Sequence, residues 1–363
     1  MRASGDRDLI LVFDVGTQSI RAALVDPAGV VHHLLQTPIE PYFSVRPGWA
    51  EQAPDYYWQK IGDTARGLLT AEGVNTERIA GVTITAQRAT LVNLDRHGVP
   101  LRPAILWLDQ RKAEMEQRLS PVLVAALKAL NRYTVVEKAV RDCEANWIRQ
   151  NQPEIWHQTH KFLFLSGFLI HRLTGEYRDS AASIVGYLPF DYKRHCWATS
   201  RDLKWKFFPM DPALLPELIP PGGLLGEISR QAAADTGIPA GLPVVAAATD
   251  KACEVLGAGC RSPETACLSF GTTATVNTAN SRYVEIKPFV PPYPGAIPET
   301  YNTEVMVYRG FWMVSWFKRE FGLREQQIAR ERGIAPEMLF DELIRDLPPG
   351  SMGLTLQPYW SPG

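Results

Sequence analysis

Residues 9–26, LILVFDVGTQSIRAALVD, constrain the fold more than any other stretch. An apolar run at 9–13 leads into Asp14, then Gly16, Thr17 and Ser19, and a second strand-like run covers 20–25. The pattern predicts two antiparallel strands joined by a turn that carries a carboxylate, a glycine, two hydroxyls and, at Arg21, a guanidinium. Such a turn suits the terminal phosphates of a nucleotide. Glycine lets the backbone approach, amide and hydroxyl groups donate to phosphate oxygens, and a carboxylate can hold Mg²⁺ through water. Taken alone, the segment is better read as a plain hairpin turn with a capping aspartate. The remainder of the chain has to decide.

With 363 residues there is room for two cores. The 38 basic and 39 acidic residues give a net charge of −1 and no basic excess to neutralise a phosphodiester backbone, so nucleic acid is not an expected partner. No apolar run reaches the length that spans a bilayer. Asp6 and Asp8 precede the first apolar run as a strand entry and not as a secretory signal, which makes the cytoplasm the expected compartment. Cys143, Cys196, Cys253, Cys260 and Cys267 form no CxxC pair and read as small buried thiols. The adjacent His32 and His33 read as surface residues near a turn.

The first third predicts strands at 9–13, 20–25 and 30–35, a helix at 54–69 with apolar residues at 57, 61, 65 and 68, and strands at 79–85 and 90–94. A three-strand meander, a helix and a further strand is the opening order of the α/β ribonuclease-H-like (actin-like ATPase) fold. The aromatic-rich run 156–173 predicts one helix. Residues 226–229, 230–236 and 241–247 read as strand, helix, strand, and 252–259 as a helix that closes a first domain. Then the opening pattern returns: a strand at 265–270, the turn Gly271-Thr272-Thr273 and a strand at 274–278. Two such units predict a duplicated fold, two domains around a cleft with a phosphate turn on each side. The expected domains are 1–258 and 259–363.

Phosphoryl transfer needs positioned phosphates, a metal and a base for the accepting hydroxyl. Asp14 is the candidate metal-side carboxylate, Gly16, Thr17 and Ser19 the candidate phosphate donors, and Arg21 a charge neutraliser. Asp250 is the candidate base, because it follows the apolar run 244–248 where a buried strand meets a helix N-terminus. In isolation it reads as an ordinary helix N-cap. Gln87 and Arg88 follow a strand, where polar side chains face a cleft in α/β folds. Trp107 could stack on a sugar face or pack in the core, and Asp109 with Arg111 reads as a fixing ion pair.

These residues, in this order, resemble the FGGY family of carbohydrate kinases. The matching pieces are DVGTQSIRAAL (14–24), PGWAEQAPDYYW (47–58), GVTITAQRATLVNLDRHGVPLRPAILWLDQR (81–111), LTGEY (173–177), GIPAGLPVVAAATDKACEVLGAG (237–259), LSFGTTATV (268–276) and PPGSMGLTLQPYWSPG (348–363). The resemblance implies a sugar or polyol substrate, ATP and Mg²⁺ as cofactors, and a homodimer. It places Asp14, Gly16, Thr17 and Arg21 in a first phosphate motif and Gly271 and Thr272, next to Thr273, in a second. It gives Asp250 the role of general base, and Gln87, Arg88 and Trp107 the contacts to the sugar. Two departures stand out. Glycerol kinases carry a glutamate where this chain has Ala89, and xylulokinases carry Met-His where it has Gln87-Arg88, so the resemblance is nearest to sugar-kinase-like members with the same QRAT segment. The family also continues past the PYWSPG segment with its adenosine-binding motif. The expectation is therefore a second domain that is incomplete, with an apolar face near Phe311 and Phe317 left uncovered. The alternative to a kinase is a truncated, non-catalytic sugar-binding remnant of one.

Overall fold

The alternation at 9–25 folds as two strands, β1 (Leu9–Val15) and β2 (Ser19–Val25), with Leu9, Leu11, Phe13 and Val15 buried on one face of β1. The computed structural model describes residues 7–115, 119–270, 273–307 and 310–355. These divide into two compact units. One takes the positions up to Ser262 together with Ala279–Thr303, and the other takes Pro263–Thr278 together with the positions from Glu304 on.

In the first unit β1 pairs antiparallel with β2, which pairs antiparallel with β3 (Val31–Pro38). After the short β4 (Glu51–Gln52), helix α1 (Pro54–Leu69) starts on a proline in its first turn and buries Tyr57, Ile61, Ala65 and Leu68. It lies against β2 and β3. Strand β5 (Ile79–Ala86) returns parallel to β1, in register from Leu9↔Ile79 to Val15↔Ala86. Strands β6 (Leu91–Leu94) and β7 (Ala104–Ile105) begin a smaller sheet. Four helices follow, α2 (Pro121–Ala129), α3 (Tyr133–Asp142), α4 (Glu144–Asn151) and α5 (Pro153–Gln158). Run 156–173 is not one helix. It contains the end of α5, strand β8 (Lys161–Phe164) and most of α6 (Leu165–Thr174). Strand β8 pairs with β6, and this pairing overrides a composition that suits either state.

Strand β9 (Arg178–Ser180) pairs parallel with β12 (Glu217–Ile219), while β10 (Phe190–Asp191) and β11 (Cys196–Trp197) form a hairpin between them in the chain. A short helix, α7 (Lys204–Phe207), lies within the same stretch. Strand β13 (Leu224–Glu227), helix α8 (Arg230–Thr236) and strand β14 (Pro243–Ala246) complete the main sheet, whose order is β13-β14-β5-β1-β2-β3. Strand β14 is parallel to β5, with Val244↔Val82 and Ala246↔Ile84. A meander extended by two parallel strands is the ribonuclease-H-like, actin-like fold that the sequence predicts. Helix α9 (Asp250–Gly257) follows directly.

The second unit holds the hairpin of β15 (Cys267–Phe270) and β16 (Ala274–Asn280), paired from Cys267↔Asn277 to Phe270↔Ala274. It also holds α10 (Trp312–Phe321), α11 (Leu323–Arg332) and α12 (Pro336–Ile344). Phe317 meets Phe340 at 5.6 Å, yet Phe311, Phe317 and Phe321 remain half exposed or more. None of the five cysteines is in a disulfide, and Cys196 is exposed and Cys253 half-buried where the sequence predicts burial. Among the described residues no helix is long and apolar enough to cross a membrane.

Phe13 is fully buried in the central strand. Phe13→Ala is expected to cost about 3–5 kcal/mol, read as a lower urea midpoint at unchanged slope. Ile10→Ala, on the partly exposed face of the same strand, is expected to change the midpoint little.

Candidate active site

Three parallel strands end together: Asp14 lies near the end of β1, Gln87 and Arg88 directly follow β5, and Asp250 follows β14 by a short link. In open α/β sheets, ligands bind outside such carboxyl ends.

The β1–β2 turn is closed by the Gly16 amide, which donates to the Ser19 carbonyl at 3.1 Å. A Cβ on Gly16 would stand 3.3 Å from that oxygen, tighter than an ordinary contact, so a side chain there would press on the turn. Asp14 and Arg21 face each other across the strand pair, with Arg21 Nη1 2.7 Å from Asp14 Oδ2. Arg21 is exposed and Asp14 partly so, and a pair of that kind holds weakly and exchanges partners easily. The Ser19 hydroxyl is buried and accepts from Gln36 at 3.1 Å.

Thr17 joins a chain of hydrogen bonds across four segments. Trp107 Nε1 donates to Thr17 Oγ1 at 3.1 Å, Thr17 Oγ1 donates to Gln87 Oε1 at 2.9 Å, and Gln87 Nε2 donates to the Tyr57 hydroxyl at 2.9 Å. The turn is thereby tied to β5, α1 and the segment of Trp107. Thr17 spends its hydroxyl proton on Gln87, leaving the turn's backbone as its remaining donor surface. Burial holds the Tyr57 phenol protonated well above its usual range, with the Gln87 bond opposing it.

The Asp109–Arg111 pair reads from the sequence as a fixing ion pair, and the structure has it buried and bidentate, with Nε and Nη2 of Arg111 each 2.7 Å from an Asp109 oxygen. The guanidinium lies against the rings of Trp49, 3.9 Å away, and Trp147, 4.6 Å away, which meet each other edge-on. Asp109 also accepts from the Ala50 amide at 2.7 Å, which fixes the loop around Trp107 to the strand that begins at Glu51.

The residues before Asp250 are pinned from three sides. Thr85 Oγ1 donates to the Ala248 carbonyl at 2.7 Å, Ser180 Oγ donates to the Ala247 carbonyl at 2.5 Å, and the Thr249 amide donates to the Ala182 carbonyl at 3.2 Å. Thr249 is the N-cap of α9, accepting from the Ala252 amide, so Asp250 is the first helical residue and not the cap. Burial raises the Asp250 carboxyl above its ordinary range. The Lys251 amide, at 2.7 Å, and the charges of Arg88 and Lys251 pull it back, and Asp14 pushes it further up. Arg88 lays its guanidinium over Tyr293, 5.1 Å from the ring centroid. Ala89 follows in the left-handed region at φ 52°, a rare conformation for a residue with a side chain and one that clusters at working sites.

Of the remaining sequence candidates, Thr273 precedes β16 in the second unit, and Gly271 and Thr272 lie outside the described residues. Two contributors carry no sequence signal of their own, the Tyr57 hydroxyl and Tyr293, and the cap that the sequence alone puts at Asp250 belongs to Thr249.

The sheet order and the polar groups at its carboxyl edge define a domain of the actin-like class. The chain belongs to the FGGY family of carbohydrate kinases, whose N-terminal domain matches residues 9–257. It is 29% identical over 347 residues to "Uncharacterized sugar kinase YgcE" of Escherichia coli, covering 95% of this chain and 63% of that protein. With the xylulose kinase of Lactococcus lactis it shares 26% identity, covering 96% of this chain and 67% of the relative. The chain thus spans about two thirds of the length of these relatives. The crystal structure of xylulose kinase from Rhodospirillum rubrum superposes with a TM-score of 0.76 at 24% identity, covering 97% of this chain and 70% of that one. Plasmodium falciparum glycerol kinase superposes with a TM-score of 0.67 at 20% identity, covering 86% and 63%. These two structures share the fold.

Asp179, on β9, supports the Asp250 loop through its neighbour Ser180. It is fully buried, accepts from Ser166 at 2.8 Å, and is pushed up to about 7 by burial, with those hydrogen bonds opposing. A carboxyl raised in the folded state contributes stability that is full below its ordinary value near 3.8 and is lost as pH rises through about 7. Asp179→Asn is expected to flatten that decline, measured as the urea midpoint between pH 4 and 8.

Proposed function

We propose that this chain carries the acceptor site of an ATP-dependent carbohydrate kinase, which transfers the terminal phosphoryl group of Mg-ATP to a hydroxyl of a sugar or polyol with Asp250 as general base. The observation that carries the reading is the setting of Asp250. It is a desolvated carboxylate at the convergence of three parallel strands, beside one guanidinium and held by a loop with three backbone anchors. Burial raises its proton affinity toward that of a useful base, and Arg88 and Lys251 keep it from being neutralised outright.

The acceptor hydroxyl would lie against Asp250 with Arg88 hydrogen-bonding its neighbours and Trp107 presenting an aromatic face, while Gln87, expected from the sequence to contact the sugar, is buried and holds the Thr17 turn instead. Asp250 takes the hydroxyl proton as the oxygen attacks phosphorus. Asp14 fits the metal's needs: it is a partly exposed carboxylate with a weakly held partner. Mg²⁺ uses one or two protein carboxylates, with waters and phosphate oxygens filling its other positions. When bound, the ion would neutralise charge on the phosphates. Gly16 and the backbone of the Thr17 turn would stand against those phosphates, and Arg21, released from Asp14, would add a positive charge.

The test is ADP formation with Mg-ATP against a panel of ketoses, aldoses and polyols. Asp250→Asn is expected to lower kcat by about 10²–10⁴-fold with no loss of melting temperature, since the cap of α9 is Thr249 and the carboxylate it replaces is desolvated. For the parent protein, kcat/KM is expected to fall with decreasing pH at a midpoint above the ordinary aspartate value, because the base must be ionised and burial raises it. Undiminished turnover in Asp250→Asn would remove the residue from the mechanism.

A further inference from the structure

Residues 279–303 lie beyond the stretch that matches the family's N-terminal domain, yet they fold into the same compact unit as Asp250. Within them the two-residue strand β17 (Tyr293–Pro294) pairs antiparallel with β18 (Tyr301–Val307) at Tyr293↔Asn302 and Pro294↔Tyr301. Tyr301 anchors this pair. Its hydroxyl donates to the Lys193 carbonyl at 2.7 Å, and its ring meets His195 edge-on at 4.9 Å. So held, the segment touches the candidate site twice. The Tyr293 ring lies against the Arg88 guanidinium at 5.1 Å, and Ala296 packs on the small cluster of Ala182, Ala248 and Ala252, whose last two members stand two residues before and two residues after Asp250.

We propose that Tyr293 is a positioning residue for the acceptor: its ring holds the Arg88 guanidinium beside the Asp250 carboxylate, and the segment around it forms a wall of the sugar site. The proposal rests on the carbohydrate-kinase reading. An arginine head on a four-bond stem samples many rotamers, and a planar aromatic face selects those in which the guanidinium stacks. The backbone contributes from the other side, since the left-handed turn at Ala89 fixes the direction in which Arg88 leaves β5. The groups that face Asp250 are Arg88 after β5, Asp14 on β1, and Lys251 and Cys253 on its own helix. Of these, Tyr293 controls Arg88 alone. Loosening it removes a positive charge from the carboxylate, whose proton affinity then rises.

Four variants separate the ring–guanidinium contact from simple packing. Tyr293→Leu keeps bulk and loses the aromatic face. It is expected to raise the KM for the sugar about tenfold, with a smaller change in kcat, and to move the acid limb of kcat/KM to higher pH. Tyr293→Phe keeps the face and restores both values toward those of the parent. In Arg88→Met, the further change Tyr293→Leu is expected to add little, because the two act through one contact. A second readout needs no turnover: titration of the Asp250 carboxyl by ¹³C NMR, assigned with Asp250→Asn, is expected to shift upward in Tyr293→Leu and not in Tyr293→Phe. An unshifted Asp250 titration in Tyr293→Leu, or a Tyr293→Phe as impaired as Tyr293→Leu, overturns the proposal. If the parent protein phosphorylates no sugar, the kinase reading fails, and the NMR titration still decides whether Tyr293 governs the Arg88–Asp250 pair.

Discussion

The parallel pairing of β5 with β1 on one side and β14 on the other is the interaction on which the rest of the first unit depends. It gathers residues 14, 87 and 250, far apart in the chain, along one edge of the sheet. Side chains reinforce the backbone ladder. Thr83 donates to the Val245 carbonyl at 2.9 Å and Thr85 to the Ala248 carbonyl at 2.7 Å, so the β5–β14 register continues into the loop that delivers Asp250. A slip of one residue would exchange the two faces of β5, turning Val82 and Ile84 out of the core. Fold and site are therefore specified by the same hydrophobic pattern.

Much of that architecture is legible in the amino-acid order because it is local. Helix α1 has the bounds that a proline at its first turn and apolar residues at 57, 61, 65 and 68 demand, and α8 ends where Gly237 takes up a left-handed conformation. The failure at 156–173 has an equally definite cause. Phe162, Leu163 and Phe164 form an apolar run without period, which a buried strand and a buried helix share, and the choice falls to β6, some seventy residues earlier in the chain.

The site divides in the same way. A glycine-and-hydroxyl turn, polar residues after a strand and an aspartate before a helix are signals a sequence carries. The direction of a hydrogen bond is not. Thr17 reads as a phosphate donor, and only its meeting with Gln87 and Trp107 reveals how its hydroxyl is engaged. Tyr57 looks like one more member of an apolar stripe, because its ring is one, while its hydroxyl holds Gln87. Tyr293 sits in a proline-rich stretch that reads as a loop, and its contact spans about two hundred residues. What the chain order cannot show are pairings between distant segments, whose energies exist only once the sheet has assembled.

The division of work between Thr249 and Asp250 bears on how such a site can change over evolutionary time. The start of α9 is secured by the threonine hydroxyl, and the loop before it by bonds to Ala247, Ala248 and Thr249. None of these contacts involves the aspartate carboxyl. On the proposed reading, the base can be lost through a single nucleotide change to asparagine while the scaffold around it persists. A descendant that retains ligand recognition and has given up chemistry is therefore one mutational step away, and selection can act on the reactive group and on the architecture as separate traits.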